Sequence, residues 1–150
     1  MLDIDFQFSV KVYYEDTDAG GVVYHANYLK FMERARSEYL IKKGCSVVEC
    51  EKEFGIIFVV RHLEIDYVMP ARLGDELTIS TKVIKLGKVG MKMKQDVYNS
   101  QGLLICSALV KLAAIHKFSE NSYKLTPISP EIIDKLSSCL LYTSPSPRDS

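Results

Sequence analysis

The residues able to do chemistry crowd into one short stretch. Asp16, Asp18, Gly20, Gly21 and His25 fall within YYEDTDAGGVVYHANYLK, with Tyr14 just before them and a long apolar-periodic segment just after. A carboxylate can attack a carbonyl carbon or take a proton from water. Adjacent glycines permit a tight, irregular loop. A helix start offers unpaired backbone N–H groups and the positive end of the helix dipole, which stabilise negative charge developing on an oxygen. A carboxylate placed just before a helix start therefore supplies two parts of an acyl-transfer site. The same residue types also serve as plain turn and capping residues, so spacing alone leaves both readings open.

The individual side chains divide similarly. Asp18 and Asp16 are rival carboxylates. The imidazole of His25 suits either proton transfer or a structural hydrogen bond at the helix start. Tyr14 either orients the carboxylate or is a core aromatic at a strand end. Glu33 and Glu38 read as solvated helix-face charges. No GxSxG nucleophile elbow occurs in the chain. The four cysteines, Cys45, Cys50, Cys106 and Cys139, form no CxxC pair, and no histidine cluster has zinc-ligand spacing. They read as scattered buried thiols, and neither a metal nor a redox cofactor is expected.

The elements that must hold this stretch follow from periodicity. Segment 8–14 reads as a strand. Over 26–43, Tyr28, Phe31, Met32, Ala35 and Tyr39 recur at spacings of three and four, and Gly44 follows as a C′ glycine, which predicts a long helix. Residues 45–54 read as a shorter helix or an irregular link. Period-two alternation then predicts strands through Leu63, Ile65 and Tyr67, through Leu77, Ile79, Thr81 and Val83, and through Met91, Met93 and Val97. Segment 103–115 is almost wholly apolar and predicts a central strand buried on both faces. The order is a strand, a long helix, then a four-strand meander, which is an α+β layer architecture. Residues 126–136 could add a turn or short helix. The string at 139–150 shows no period and resembles a translated sequencing-library adapter, so the domain is expected over 1–136 and a non-native or disordered tail over 137–150.

Composition bounds the rest. The chain has 150 residues, enough for one core, with 19 basic and 19 acidic side chains and a net charge of zero. No global field draws it to nucleic acid or to an anionic membrane, so any anionic ligand must meet a local basic cluster. The N-terminus lacks a secretory pattern and no apolar run approaches a membrane span, so a cytoplasmic protein is expected.

The stretch YEDTDAGGVVYHANY, from Tyr14 to Tyr28, resembles the signature of the 4-hydroxybenzoyl-CoA thioesterase family, in particular its branch of acyl-CoA thioesterases associated with the Tol-Pal envelope system. FVVR at 58–61 and YVMPARLGDE at 67–76 resemble that family as well, and the likeness spans roughly residues 8–130. It implies the hot-dog fold, a long helix wrapped by a curved antiparallel sheet of about five strands. It implies Asp18 as the catalytic carboxylate, nucleophile or base for water, and the backbone N–H of His25 as the group that polarises the thioester carbonyl. Thiolate is a good leaving group, so a lone carboxylate and an oxyanion site suffice. Gly21, Tyr24, Val59, Val60 and Arg61 are expected along the substrate channel. Arg61 leads the candidates for the CoA phosphates, with Lys88, Lys85 and Lys92 behind it. Phe54, Ile57, Phe58, Tyr28 and Met32 are candidates for the acyl pocket. The resemblance further implies short- or medium-chain acyl-CoA as substrate, acyl-carrier protein as a possible partner, and a homodimer or homotetramer. A hot-dog hydratase or dehydratase and a non-catalytic acyl-binding module are the competing functions.

Overall fold

The computed structural model describes the backbone of residues 6–143 and the side chains of residues 6–137. In chain order the elements are β1 (Phe6–Lys11), a 3-10 turn (Tyr14–Asp16), α1 (Asn27–Lys42), α2 (Val47–Phe54), β2 (Ile57–Tyr67), β3 (Glu76–Leu86), β4 (Gly90–Tyr98), β5 (Leu104–Ser119), β6 (Ser122–Leu125) and α3 (Pro130–Thr143). All strands join one antiparallel sheet in the order β1-β3-β4-β5-β2, with short β6 paired to the end of β5. The sheet curls around α1.

The predicted stripe of α1 is the centre of the core. Tyr28, Phe31, Met32, Ala35, Tyr39 and Leu40 are buried, and Met32 and Ala35 are fully enclosed. They meet Leu77 and Ile79 of β3, Met93 and Val97 of β4, and Ile105, Ala108 and Val110 of β5 in one apolar cluster. Ser80, Thr81 and Gln95 are the buried polar residues among those described, and the Gln95 amide is hydrogen-bonded at both ends. Gln95 donates to the Met32 carbonyl (2.9 Å) and the Thr81 hydroxyl (3.0 Å) and accepts from Arg36 Nη1 (3.0 Å), which fixes α1 against the sheet. Gly44 (φ 83°) closes α1, with its N–H on the Ile41 carbonyl and that of Cys45 on the Leu40 carbonyl.

Four details depart from the pattern reading. Segment 8–14 is not all strand, because β1 ends at Lys11 and Tyr14 begins the 3-10 turn. The four strands are not a simple meander: β2 pairs with β5, and residues 68–75 carry the chain across to β3. β5 is buried on both faces at 105–106 and 112–114 but not between them, where Ser107 and Leu109 are half-buried and Lys111 is exposed. Last, α3 is longer than a turn and runs to Thr143, through part of the expected tail, while 144–150 lies outside the described residues. Register shifts at Arg61 in β2 and Ile84 in β3 mark bulges that bend these strands. Among the described residues no helix is long and apolar enough to cross a membrane.

Candidate active site

The loop before α1 is shaped by its own backbone. The Asp18 N–H donates to the Val22 carbonyl (2.9 Å), and the Gly21 N–H returns to the Asp18 carbonyl (3.0 Å). Gly21 takes φ 81°, a conformation that glycine adopts without strain. Asp16 ties the loop to the helix: its carbonyl accepts the Tyr24 N–H (3.1 Å) and the Asn27 side-chain amide (2.8 Å), and its carboxylate accepts the Tyr13 N–H (2.9 Å). The crossover after β2 supplies the outer wall. The Val23 N–H donates to the Ala71 carbonyl (2.8 Å) and the Leu73 N–H to the Gly21 carbonyl (3.0 Å).

Asp18 is consequently presented, not buried. Its Oδ1 accepts the Gly20 N–H (2.8 Å) and the Val22 N–H at the limit of bonding (3.4 Å), while Oδ2 has no hydrogen bond among the described residues. One oxygen is anchored and the other is available. The backbone N–H groups of His25 and Ala26, just ahead of α1, likewise donate to nothing among the described residues. An available carboxylate oxygen and two unused N–H donors at a helix start are the two parts of an acyl-transfer site.

Beside His25 lies an open cleft of about 310 Å³, lined by Val23, His25, Tyr28, Tyr67, Val68, Met69 and Pro70. Tyr67 donates its hydroxyl to the His25 carbonyl (3.3 Å), and its ring meets those of His25 (6.2 Å) and Tyr28 (5.7 Å). The Tyr28 hydroxyl accepts the Ala71 N–H (3.1 Å) at the floor. Burial raises the pKa of both tyrosines, so both hydroxyls stay protonated at neutral pH. The Tyr24 ring packs on His25 (4.6 Å) and is half exposed.

A second, larger groove of about 560 Å³ lies away from the cleft, lined by Arg61, Lys85, Lys88, Lys92 and Lys111 around the glycines of the 87–90 hairpin. Register explains the cluster. Lys85 faces Lys92, Lys92 faces Lys111, and Lys111 faces His62, so one row of basic residues crosses β3, β4, β5 and β2. None of Arg61, Lys85, Lys88, Lys92 and Lys111 forms an ion pair among the described residues. Like charges directly opposite on neighbouring strands are unfavourable without a counter-charge.

The sequence-derived residues thus separate into groups. Asp18, Gly21 and Tyr24 lie in the loop that leads into α1, and His25, at the helix start, lines the cleft. Arg61, Lys85, Lys88 and Lys92 come together in the basic groove. Tyr14 joins neither: its ring is 81% exposed and makes no bond to Asp18 among the described residues. Val59 and Val60 line neither hollow and sit half exposed on edge strand β2. Of the acyl-pocket candidates only Tyr28 lines the cleft, and Met32 is core. Tyr67, Met69, Asn27 and Lys111 were not singled out. Tyr67 read as an alternating strand residue, and only the β2–β5 pairing with its crossover brings it to the helix start.

Residues 20–106 match the thioesterase superfamily. The chain belongs to that superfamily. It is 44% identical over 115 residues to the acyl-CoA thioesterase YbgC of Haemophilus influenzae, covering 77% of this chain and 84% of that protein. Among solved structures it resembles a probable thioesterase from Bartonella henselae (35% identity, TM-score 0.74, 83% of this chain and 100% of that one). The 4-hydroxybenzoyl-CoA thioesterase from Pseudomonas sp. strain CBS-3 superposes with TM-score 0.81 at 19% identity, covering 87% of this chain and 98% of that one, a likeness of fold. The hot-dog architecture expected from the motif is therefore the observed one, and the protein is a thioester hydrolase.

Proposed function

We propose that the protein hydrolyses acyl-CoA thioesters of short or medium chain, with Asp18 as the catalytic carboxylate. The observation that carries this reading is the Asp18 side chain, anchored through Oδ1 by the Gly20 N–H and open at Oδ2, in the loop that leads to unused N–H groups at the start of α1. The thioester carbonyl accepts the His25 N–H. Asp18 attacks that carbonyl carbon or takes a proton from the water that does. Negative charge collects on the carbonyl oxygen, and the intermediate collapses with loss of CoA thiolate. Attack by water gives the free acid directly, and attack by Asp18 gives an acyl-aspartyl anhydride that water then hydrolyses. The acyl group lies in the cleft walled by Tyr67, Met69 and Tyr28, which has room for a compact chain. Arg61 and Lys88, with Lys85, Lys92 and Lys111, hold the CoA phosphates in the basic groove.

The outer edge of β2 supports a homodimer as the working unit. Among the described residues β2 pairs only with β5, and Val59, Val60, Tyr67, Val68 and Met69 are partly exposed along or just beyond it. Pairing two such edges covers them and joins the sheets. A homotetramer would be built from two such dimers. The domain ends near residue 136 in this reading. The chain works in the cytoplasm, and its motif resemblance adds an envelope-associated role with acyl-carrier protein as a further partner. Thiol release from a panel of acyl-CoAs, short to long and aromatic, tests the proposal. Turnover greatest with short or medium aliphatic chains is expected. No turnover on any member would sink it and leave an acyl-binding module.

A further inference from the structure

Two of the buried thiols lie at a junction built to bring them together. Cys45 and Cys50 are 2% and 1% exposed and unbridged. Cys45 ends the closing motif of α1, its N–H on the Leu40 carbonyl (2.9 Å). One residue later α2 begins with a reciprocal capping box, in which Ser46 Oγ accepts the Glu49 N–H (3.2 Å) and Glu49 Oε1 accepts the Ser46 N–H (3.3 Å). Cys45 therefore precedes the N-cap, and Cys50 is the fourth residue of the helix. These are the two positions whose side chains pack together to fix how the chain enters a helix. Here both are cysteines. The Cys50 thiol reaches back to the Cys45 carbonyl (3.3 Å), which sets its sulfur over residue 45.

We propose that Cys45 and Cys50 are an oxidation site that a hydroperoxide closes into an intramolecular disulfide. The Cys45 thiolate attacks one peroxide oxygen. The O–O bond breaks, water leaves, and Cys45 becomes a sulfenic acid. The Cys50 sulfur then attacks the Cys45 sulfur. The S–S bond forms, the S–O bond breaks, and the hydroxyl leaves with the Cys50 proton as a second water. Two thiols lose two electrons and one peroxide gains them.

The surroundings divide the roles in this direction. Interaction with the Cys50 side chain, helped by the Lys135 and Lys43 cations, draws the Cys45 pKa below the ordinary thiol value against the opposing effects of burial and of Glu49. Lys135 is held at the site, its Nζ on the Gly44 carbonyl (2.8 Å). Cys50, as hydrogen-bond donor in an apolar setting, is pushed up and remains a thiol until the second step. The two thiols are themselves enclosed, while Val47, Val48 and Glu49, between them in sequence, are exposed. Cys106 lies deep under the sheet with its thiol pushed up to about 12 and offers no such pair.

The test uses the whole protein. Native protein is exposed to graded hydrogen peroxide, denatured, alkylated and digested with trypsin, which cuts after Lys43 and Lys52 and puts both cysteines in peptide 44–52. Oxidation of Met69, the partly exposed methionine of the cleft, marks the effective dose. The expected result is a peptide lighter by two hydrogens and free of alkyl groups, restored to two alkyl groups by dithiothreitol. Cys45→Ala and Cys50→Ala should each abolish the bridge. Peptide 44–52 carrying two alkyl groups at doses that oxidise Met69 would overturn the proposal. So would sulfinic acid without a bridge, or a bridge from either cysteine to Cys106 or Cys139.

Discussion

The loop at 16–24 and the helix that follows it are neighbours in sequence and opposites in physics. On α1, Phe31, Met32 and Ala35 are sealed in the core, and position comes from apolar packing. In the loop, Asp18, Ala19 and Gly20 are exposed, and position comes from hydrogen bonds to the loop's own backbone and to the 68–75 crossover. Packing supplies a rigid reference, and the hydrogen-bonded loop presents a carboxylate oxygen to solvent without burying a charge. A carboxylate packed like Phe31 would be protonated or costly. Rigidity and an available carboxylate oxygen are therefore assigned to adjacent segments.

Perturbing each side should give unlike responses. The largest loss of stability is expected on the packed side: Phe31→Ala removes a buried ring and should cost about 3–5 kcal/mol in urea unfolding. The core also carries an alkaline liability. The Cys106 thiol is pushed up to about 12 by burial and then by Asp96, and burial raises Tyr28 as well. A raised folded-state pKa means the unfolded chain loses its proton first. For Cys106 the stabilisation is complete below the ordinary thiol range and lost as pH rises toward 12, at up to roughly 1.4 kcal/mol per pH unit, and the Tyr28 contribution is lost in the same direction above the ordinary tyrosine range. Cys106→Ala should flatten that slope in unfolding curves recorded between pH 8 and 11.

On the loop side, Asn27→Ala removes one hydrogen bond to the Asp16 carbonyl. It should cost only about 1 kcal/mol in stability, yet lower kcat by a larger factor than that loss of folding accounts for. The smallest effect has the opposite sign. Lys92 faces lysines on both neighbouring strands, so Lys92→Gln should stabilise the fold by about 0.2–1 kcal/mol. The same change should raise KM for acyl-CoA and weaken its salt dependence. A Lys92→Gln variant with unchanged KM would remove the basic groove from the binding site.

How far the sequence could be read follows the same division. The α1 stripe, its C′ glycine and the alternation of β3 and β4 are periodic, and periodicity maps directly onto burial. Asp18, the double glycine and His25 were legible as a motif. The β2–β5 pairing was not, because alternation in β2 shows which face is apolar and not which strand lies beside it. Tyr67 and Met69 reach the cleft only through that pairing and were missed with it. Tyr14 lies exposed with no bond to Asp18 among the described residues, which the motif could not show because an aromatic beside a carboxylate reads the same whether it packs or faces solvent. The basic row was half visible: Lys85, Lys88 and Lys92 stood near strand ends, while Lys111 was hidden in an apolar run until register aligned it.

The central claim is that Asp18 does chemistry while the packed core does the holding. Steady-state thiol release by the parent and by Asp18→Asn, with unfolding midpoints for both, tests it most directly. The account predicts a loss in kcat of at least ~100-fold with the midpoint essentially unchanged. Turnover retained in the variant, or activity lost only in step with stability, would contradict it.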